Sequence, residues 1–386
     1  MQTQTVEDKI KHFLEKKFRY SKSFATMDCY KTALNKFEEF LRVEHNLDIN
    51  QLLLQFEKKT LDPIEILDQF YSFMSKYCKK NYSNRTISLY VIVAKEFLNS
   101  QNLHIYNEDV KQKFRLPKKS IVYEEGLTKE ILIRLLHNSP AKLQTAILVC
   151  ASSGMRIEEL VQLKISDVDF STNPTTISIR AETTKTREPR FTHMTTEATT
   201  SLKDYLRRSF EWTEGSTIDG YIFLSNDAFE PIRHYRNVHC AKSSLHQMLK
   251  RVIKSVPELA IKNSNGRNMI HFHAFRAWFK TQVTDAHQSD FAEALLGHKS
   301  IKIVYYRQNS KNRLKTYLEV EPALTISDFT KVEATMEELK VELISVKLEL
   351  EKVKQWKETS DKCERKNNQI QGEREDRNTN KIAEKI

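Results

Sequence analysis

Residues 271–280 read HFHAFRAWFK. The segment is helix-like and rich in aromatic side chains. His273 and Arg276 are three residues apart, so both fall on one helical face. The aromatic residues are expected to anchor this helix in a core. Two readings compete for the imidazole and the guanidinium beside them: a buried structural contact, or a site that binds phosphate and moves a proton. Either way the segment is a core helix, and the chain around it reads as mainly α with a small β-sheet.

Composition supports a helical reading. Only 7 glycines and 8 prolines stand in 386 residues, which argues for few tight turns. The length allows two domains and a sizeable core. Lys plus Arg exceed Asp plus Glu by 62 − 51 = 11, and the pI is near 9.2. A basic excess of this size favours a polyanionic partner, nucleic acid first and an acidic membrane second. Cys29, Cys78, Cys150, Cys240 and Cys363 are odd in number and form no CxxC pair, which fits a reducing interior rather than a disulfide scaffold. His234, His239 and Cys240 are near one another without metal-ligand spacing. MQTQTVEDK has no apolar stretch after a basic start, so no signal peptide is expected. The run AILVCA at 146–151 is far too short to span a bilayer. The expectation is a soluble, cytoplasmic protein with no membrane partner.

Residues 1–110 read as a helical domain. Thr26, Tyr30, Leu34, Phe37 and Leu41 recur at steps of four, four, three and four on one helical face. SNRTISLYVIVAKEFL at 83–98 behaves alike. Ser23, Thr26, Tyr30 and Phe37 have counterparts at Ser83, Thr86, Tyr90 and Phe97, each offset by 60. That likeness is either a repeat or two capped amphipathic helices that look alike by chance. PIEILDQFYSFMSKYC is a further helix starting at Pro63. The basic stretch DVKQKFRLPKKSIVYEEG, 109–126, holds Pro117 and little periodicity, and its residues 111–126 read as an interdomain linker.

Residues 127–328 form a second domain. LTKEILIRLLHNS opens it, with Thr128 as helix cap. KLQTAILVCASSGMRIEELVQLKISDVDF contains two helical patches around a Ser-Ser-Gly break. TTISIRAETTKTREPRFTHM alternates and is rich in Thr and Ile, so it reads as a β-hairpin. Helices resume at LKDYLRRSF and CAKSSLHQMLKRVIKSV. Beyond lies a change of character. Val332, Met336, Leu339, Leu343, Val346, Leu350 and Val353 step by 4, 3, 4, 3, 4, 3. That is an a/d seam, and 329–358 is expected to be a coiled-coil helix, either pairing protomers or packing as a single helix on the second domain. Residues 359–386 are nearly devoid of large apolar side chains and are expected to be disordered.

Four clusters could carry chemistry: Arg156 and Glu159 in SGMRIEEL, Lys185 in TTKTRE, His273 and Arg276 in HAFR, and His298, Tyr305 and Tyr306 in LLGHKSIKIVYYRQ. Arg156 and Arg276 offer rigid forks that match phosphate oxygens and stay charged. Preplaced donors stabilise the charge that builds on a phosphodiester under attack. A tyrosine hydroxyl loses its proton only near pH 10, so as a nucleophile it needs a base or a strong positive field. His273 is suited to take that proton. Lys185 on the hairpin could supply a proton to a departing sugar hydroxyl. No acidic cluster that would hold a divalent metal stands out, and no cofactor is expected. Each residue also has an ordinary structural reading: an ion-paired helix cap, a surface lysine, a chance HxxR, half-buried core tyrosines.

Taken in order, GMRIEEL, TKT, HAFR, LLGH and YY resemble the tyrosine recombinases, also called the phage integrase family. The motifs cover roughly residues 127–325, and the N-terminal region looks like the family's helical core-binding (SAM-like) domain. The resemblance implies a site-specific DNA recombinase or integrase, of the kind carried by mobile elements. In that scheme Arg156 and Arg276 clamp the scissile phosphate and Glu159 orients Arg156. His273 serves as general base and then acid, His298 hydrogen-bonds the phosphate, and Lys185 protonates the 5′-hydroxyl. A tyrosine forms a 3′-phosphotyrosyl link. The partners implied are double-stranded DNA, wrapped by two domains as a C-shaped clamp, and further copies of the chain, as a tetramer on two duplexes.

The chain departs from the pattern in two places. Ala277 follows Arg276 where many members have histidine. Tyr305 and Tyr306 lie seven and eight residues after His298, short of the family's usual spacing. Tyr306 is the preferred nucleophile, Tyr305 the second choice and Tyr317 in LKTYLEV the third. A type IB topoisomerase and a non-catalytic DNA-binding structural protein are the alternatives.

Overall fold

A computed structural model of the chain describes residues 5–76, 82–113, 125–224, 230–263, 266–298, 309–327, 343, 345–354 and 357. It divides into two compact units. One comprises Met1–Glu125, Leu224–Ser244 and Ile261–Met269; the other comprises Gly126–Phe223, Leu245–Ala260 and Ile270–Ile386.

The first unit holds α1 (Val6–Ser21), α2 (Phe24–Phe40), α3 (Ile49–Glu57), α4 (Pro63–Lys76), α5 (Asn84–Ser100) and α6 (Asn107–Lys113). The sixty-residue likeness has a structural counterpart. Ser23 caps α2 by accepting from the Thr26 backbone N–H at 3.2 Å, and Ser83 caps α5 by accepting from that of Thr86 at 3.3 Å. Each cap satisfies an N–H group that the helix itself leaves unpaired. The two helices pack on each other, and Leu34, Phe37 and Phe97 on their facing stripes are fully buried. Phe70 of α4 meets the Phe37 ring edge-on at 5.1 Å. Helix α4 begins at Pro63, where a missing N–H costs nothing. The predicted linker is corrected at its start: residues 111–113 end α6, and Lys113 is ion-paired to Asp62. A short charged helix with no buried residue leaves little apolar period to read. Linker residues 114–124 lie outside the described residues.

The second unit begins with α7 (Lys129–His137), capped by Thr128 as predicted, and α8 (Ala141–Ser153). Then come α9 (Ile157–Val161) and three short strands: β1 (Val168–Asp169), β2 (Thr175–Ile179) and β3 (Arg190–Met194). The predicted hairpin is β2 and β3, antiparallel with Ile177 opposite Thr192, and β1 extends it to an antiparallel three-stranded sheet. Helices α10 (Thr196–Phe210), α11 (Pro231–Ser255, of which 245–255 belong to this unit), α12 (Phe272–Asp285), α13 (Ser289–Leu296) and α14 (Ser310–Leu324) complete it. Helix α8 is the centre. Every residue from Thr145 to Ser153 is buried, and α10, α12, α14 and β3 all pack on it. A helix apolar all round can only sit inside.

Residues 343 and 345–354 are helical, and Leu343, Val346, Leu350 and Val353 on the predicted seam are 56%, 56%, 55% and 61% exposed. The seam positions Val332, Met336 and Leu339, and the tail 359–386, lie outside the described residues.

Candidate active site

The site forms at the C-terminal end of α8. Helix ends leave carbonyl oxygens without partners. Here three separate elements supply donors. The Tyr317 hydroxyl from α14 donates to the Ser152 carbonyl at 2.7 Å, the Thr192 hydroxyl from β3 donates to the Ser153 carbonyl at 2.7 Å, and Arg276 Nη1 from α12 donates to the Gly154 carbonyl at 2.5 Å. The guanidinium also meets the negative end of the helix dipole. Gly154 ends α8 with φ +66°, and a Cβ there would stand 2.6 Å from the Phe279 ring and 2.7 Å from Leu296. The Ser-Ser-Gly break is therefore demanded by both backbone conformation and close packing.

Arg156 follows as the N-cap residue of α9. Its backbone N–H donates to Glu159 Oε2 at 2.8 Å and its Nη1 to Oε1 at 3.1 Å. Arg190 of β3 closes on the same carboxylate, with Nη1 to Oε1 at 2.9 Å and Nη2 to Oε2 at 2.6 Å, while its Nε donates to the Leu295 carbonyl at 2.9 Å. Glu159 is 2% exposed. Burial alone would raise its carboxyl, but the hydrogen bonds and charges of Arg190 and Arg156 outweigh that and hold it below the usual carboxylate range.

In α12, Phe272, Phe275, Trp278 and Phe279 are buried, so the aromatic residues anchor the helix as expected. His271 stands just outside the helix and caps it, Nδ1 accepting from the Ala274 N–H at 3.0 Å. His273 is exposed in the first turn, its ring stacked on that of His271 with centroids 6.5 Å apart. Arg276 is 4% exposed. Its Nη2 donates to the Leu296 carbonyl at 2.8 Å and meets His298 Nε2 at 3.1 Å. Burial first, and the nearby charge of Arg156 second, push Arg276 down to about 10. It remains a cation at neutral pH.

His298 follows Gly297 at the end of α13. Its Nδ1 is 2.5 Å from Glu293 Oε2, and Glu293 also pairs with Lys280 Nζ at 2.5 Å. Burial would raise Glu293; its hydrogen bonds to Lys280 and His298 more than offset this and lower it.

Of the sequence-predicted residues, the structure thus gathers Arg156, Glu159, Arg276 and His298. His273 sits one turn before Arg276 on the same helix. Lys185 is exposed on the long connection between β2 and β3, and among the described residues no hydrogen bond or ion pair joins it to the cluster. Tyr306 and Tyr305 lie outside the described residues. Tyr317, the third choice, is corrected to a core residue: it is fully buried, its hydroxyl is engaged at Ser152, and burial raises its phenol well above the usual value. Arg190, Glu293 and Lys280 were not foreseen. Arg190 lies in the quoted hairpin, but an arginine among charged residues carries no mark of its partner. Glu293 reaches His298 only because the chain reverses at Gly297.

The phage integrase family model matches residues 125–313. The chain is 24% identical over 332 residues to tyrosine recombinase XerC of Bacillus pumilus (strain SAFR-032), covering 82% of this chain and 98% of that protein. Two solved structures share its fold. A lambda integrase dimer bound to a COC' core site has 15% identity and a TM-score of 0.52, with 80% of this chain and 79% of that one covered. A lambda integrase tetramer bound to a Holliday junction has 13% identity and a TM-score of 0.51, with 80% of each covered. With the ordered motifs, the helical fold and the gathered Arg156, Glu159, Arg276 and His298 all agreeing, residues 125–313 form a domain of the phage integrase family, the tyrosine recombinases.

Proposed function

We propose that the chain is a site-specific DNA recombinase that cuts and rejoins DNA through a 3′-phosphotyrosyl intermediate. The observation that carries this reading is the meeting of Arg156 and Arg276, 120 residues apart in sequence, at one buried helix end together with His298. Two guanidinium groups held this close repel each other, and a phosphate between them relieves that repulsion.

In the reaction Arg156 and Arg276 hold the non-bridging oxygens of the scissile phosphate and His298 hydrogen-bonds to them. Glu159 and Arg190 hold Arg156 in place. The phenol of Tyr306, with Tyr305 as second choice, gives its proton to His273 and attacks phosphorus. The bond to the 5′ oxygen breaks, and Lys185 protonates that oxygen. One phosphoester replaces another, so the reverse attack by a 5′-hydroxyl reseals the strand without an external energy source. Double-stranded DNA is the substrate. Four protomers on two duplexes complete the exchange, in line with the lambda integrase tetramer on a Holliday junction. The protein acts inside the cell, in the cytoplasm, and no helix among the described residues is long and apolar enough to cross a membrane.

A suicide duplex nicked next to the cleavage point tests the reading. A covalent protein–DNA adduct is expected, lost in Tyr306→Phe, with peptide mapping identifying the tyrosine. Tight binding without any adduct would favour a structural DNA-binding protein instead. Supercoil relaxation by single protomers would favour a type IB topoisomerase.

A further inference from the structure

His298 stands between a group that only donates and a group that accepts. A guanidinium nitrogen carries no lone pair for hydrogen bonding. Arg276 Nη2, 3.1 Å from His298 Nε2, must therefore be the donor, and Nε2 the acceptor. The ring is then neutral, its single proton on Nδ1, donated to Glu293 Oε2 at 2.5 Å. In this arrangement Nε2 has no hydrogen to give a phosphate oxygen, which is what the recombinase reading asks of it.

Among the described residues, Arg276 and Lys280 face this end of the site from α12, Arg156 from the start of α9 and Arg190 from β3, with Glu293 and Glu159 paired to them. A tetrahedral oxyanion placed between the arginines adds negative charge beside the ring and favours its cationic form.

We propose that engagement of a DNA phosphate in this pocket is coupled to the uptake of one proton by His298, with Glu293 as the positioning residue that holds the resulting imidazolium. The inference rests on the recombinase reading for the identity of the phosphate. The proton comes from solvent and adds to Nε2. Nδ1–H stays on Glu293, and the Arg276 Nη2–H turns from Nε2 to the oxyanion. Both Arg276 and His298 Nε2–H then donate to the same ligand. Lys280 keeps Glu293 ionised and aimed at the ring.

The test is 15N NMR of the full chain labelled in its histidine rings, with the His298 signals identified by their loss in His298→Gln. Sulfate serves as the probe, because it is a tetrahedral dianion that does not itself titrate near neutral pH. Without sulfate at neutral pH, His298 is expected to show a protonated Nδ1 and an unprotonated Nε2. With saturating sulfate its pKa is expected to rise by at least about one unit, a tenfold shift in the protonation equilibrium. In Glu293→Gln that rise is expected to shrink by more than half. A pKa unmoved by sulfate up to its solubility limit, or a free ring already protonated on Nε2, overturns the proposal. A full rise in Glu293→Gln overturns the role of Glu293. None of these readings involves strand cleavage, so a chain that forms no DNA adduct would defeat the recombinase reading and leave the proton coupling to be judged by its own signals.

Discussion

Arg190 lays its two Nη nitrogens on the two carboxylate oxygens of Glu159, at 2.9 and 2.6 Å, while the same carboxylate takes two N–H groups of Arg156. One buried anion thus organises two cations, only one of which the sequence motif contains.

Removing that anion leaves Arg190 and Arg156 facing Arg276 without compensation. Glu159→Gln is expected to lower the free energy of unfolding by about 3–5 kcal/mol, as when one partner of a buried pair is lost. Urea unfolding measures it. A loss within experimental error of zero would mean that solvent replaces the carboxylate, contrary to its 2% exposure.

His193 gives the fold a sensitivity to acid. Its ring is 3% exposed, and burial first, with the charge of Arg313 second, pushes its pKa down to about 4 from the ordinary 6.5. Between those values the unfolded chain binds the proton more tightly than the folded one, so stability falls as pH drops from 6.5 toward 4. The upper bound is about 3 kcal/mol. Below that window Glu159 acts in the same direction, because a carboxyl with a lowered pKa loses its stabilisation as it protonates. Unfolding curves across pH 4 to 7 are expected to be flatter for His193→Gln, and equal slopes would remove His193 from the account.

Tyr317 separates structure from chemistry. Tyr317→Phe strands the buried Ser152 carbonyl and is expected to cost about 1–3 kcal/mol of stability. Adduct formation on a suicide duplex is expected to survive in this variant and to vanish in Tyr306→Phe. The opposite pattern would make Tyr317 the nucleophile and require α14 to leave the core.

Gly154→Ala is expected to destabilise the fold by about 2–4 kcal/mol, from overpacking against Phe279 and Leu296 and from the left-handed backbone at φ +66°. Thermal melting reads this directly. A neutral substitution would show that the junction of α8 with the loop to Arg156 can shift freely.

The exposed seam residues Leu343, Val346, Leu350 and Val353 bear on self-association. Removal of residues 331–386 is expected to lower the mass of the assembly in solution if the seam pairs protomers. An unchanged mass on and off DNA would favour a helix that packs on its own second unit.

Much was legible from local pattern. Helix α8 announced itself by an unbroken apolar run, α2 and α5 by serine caps ahead of a stripe, and β2–β3 by alternation; these signals depend on neighbours in sequence, which a reader can see. The order of Arg156, His273, Arg276 and His298 pointed to the family for the same reason. What only the tertiary structure decided was partnership. It assigned Tyr317 to a helix carbonyl, Arg190 to Glu159, and Glu293 with Lys280 to His298. A charged or polar side chain looks the same in sequence whether it faces water or a buried partner. Its role is set by whichever group the fold brings within hydrogen-bonding distance, and that distance is a property of three-dimensional packing alone.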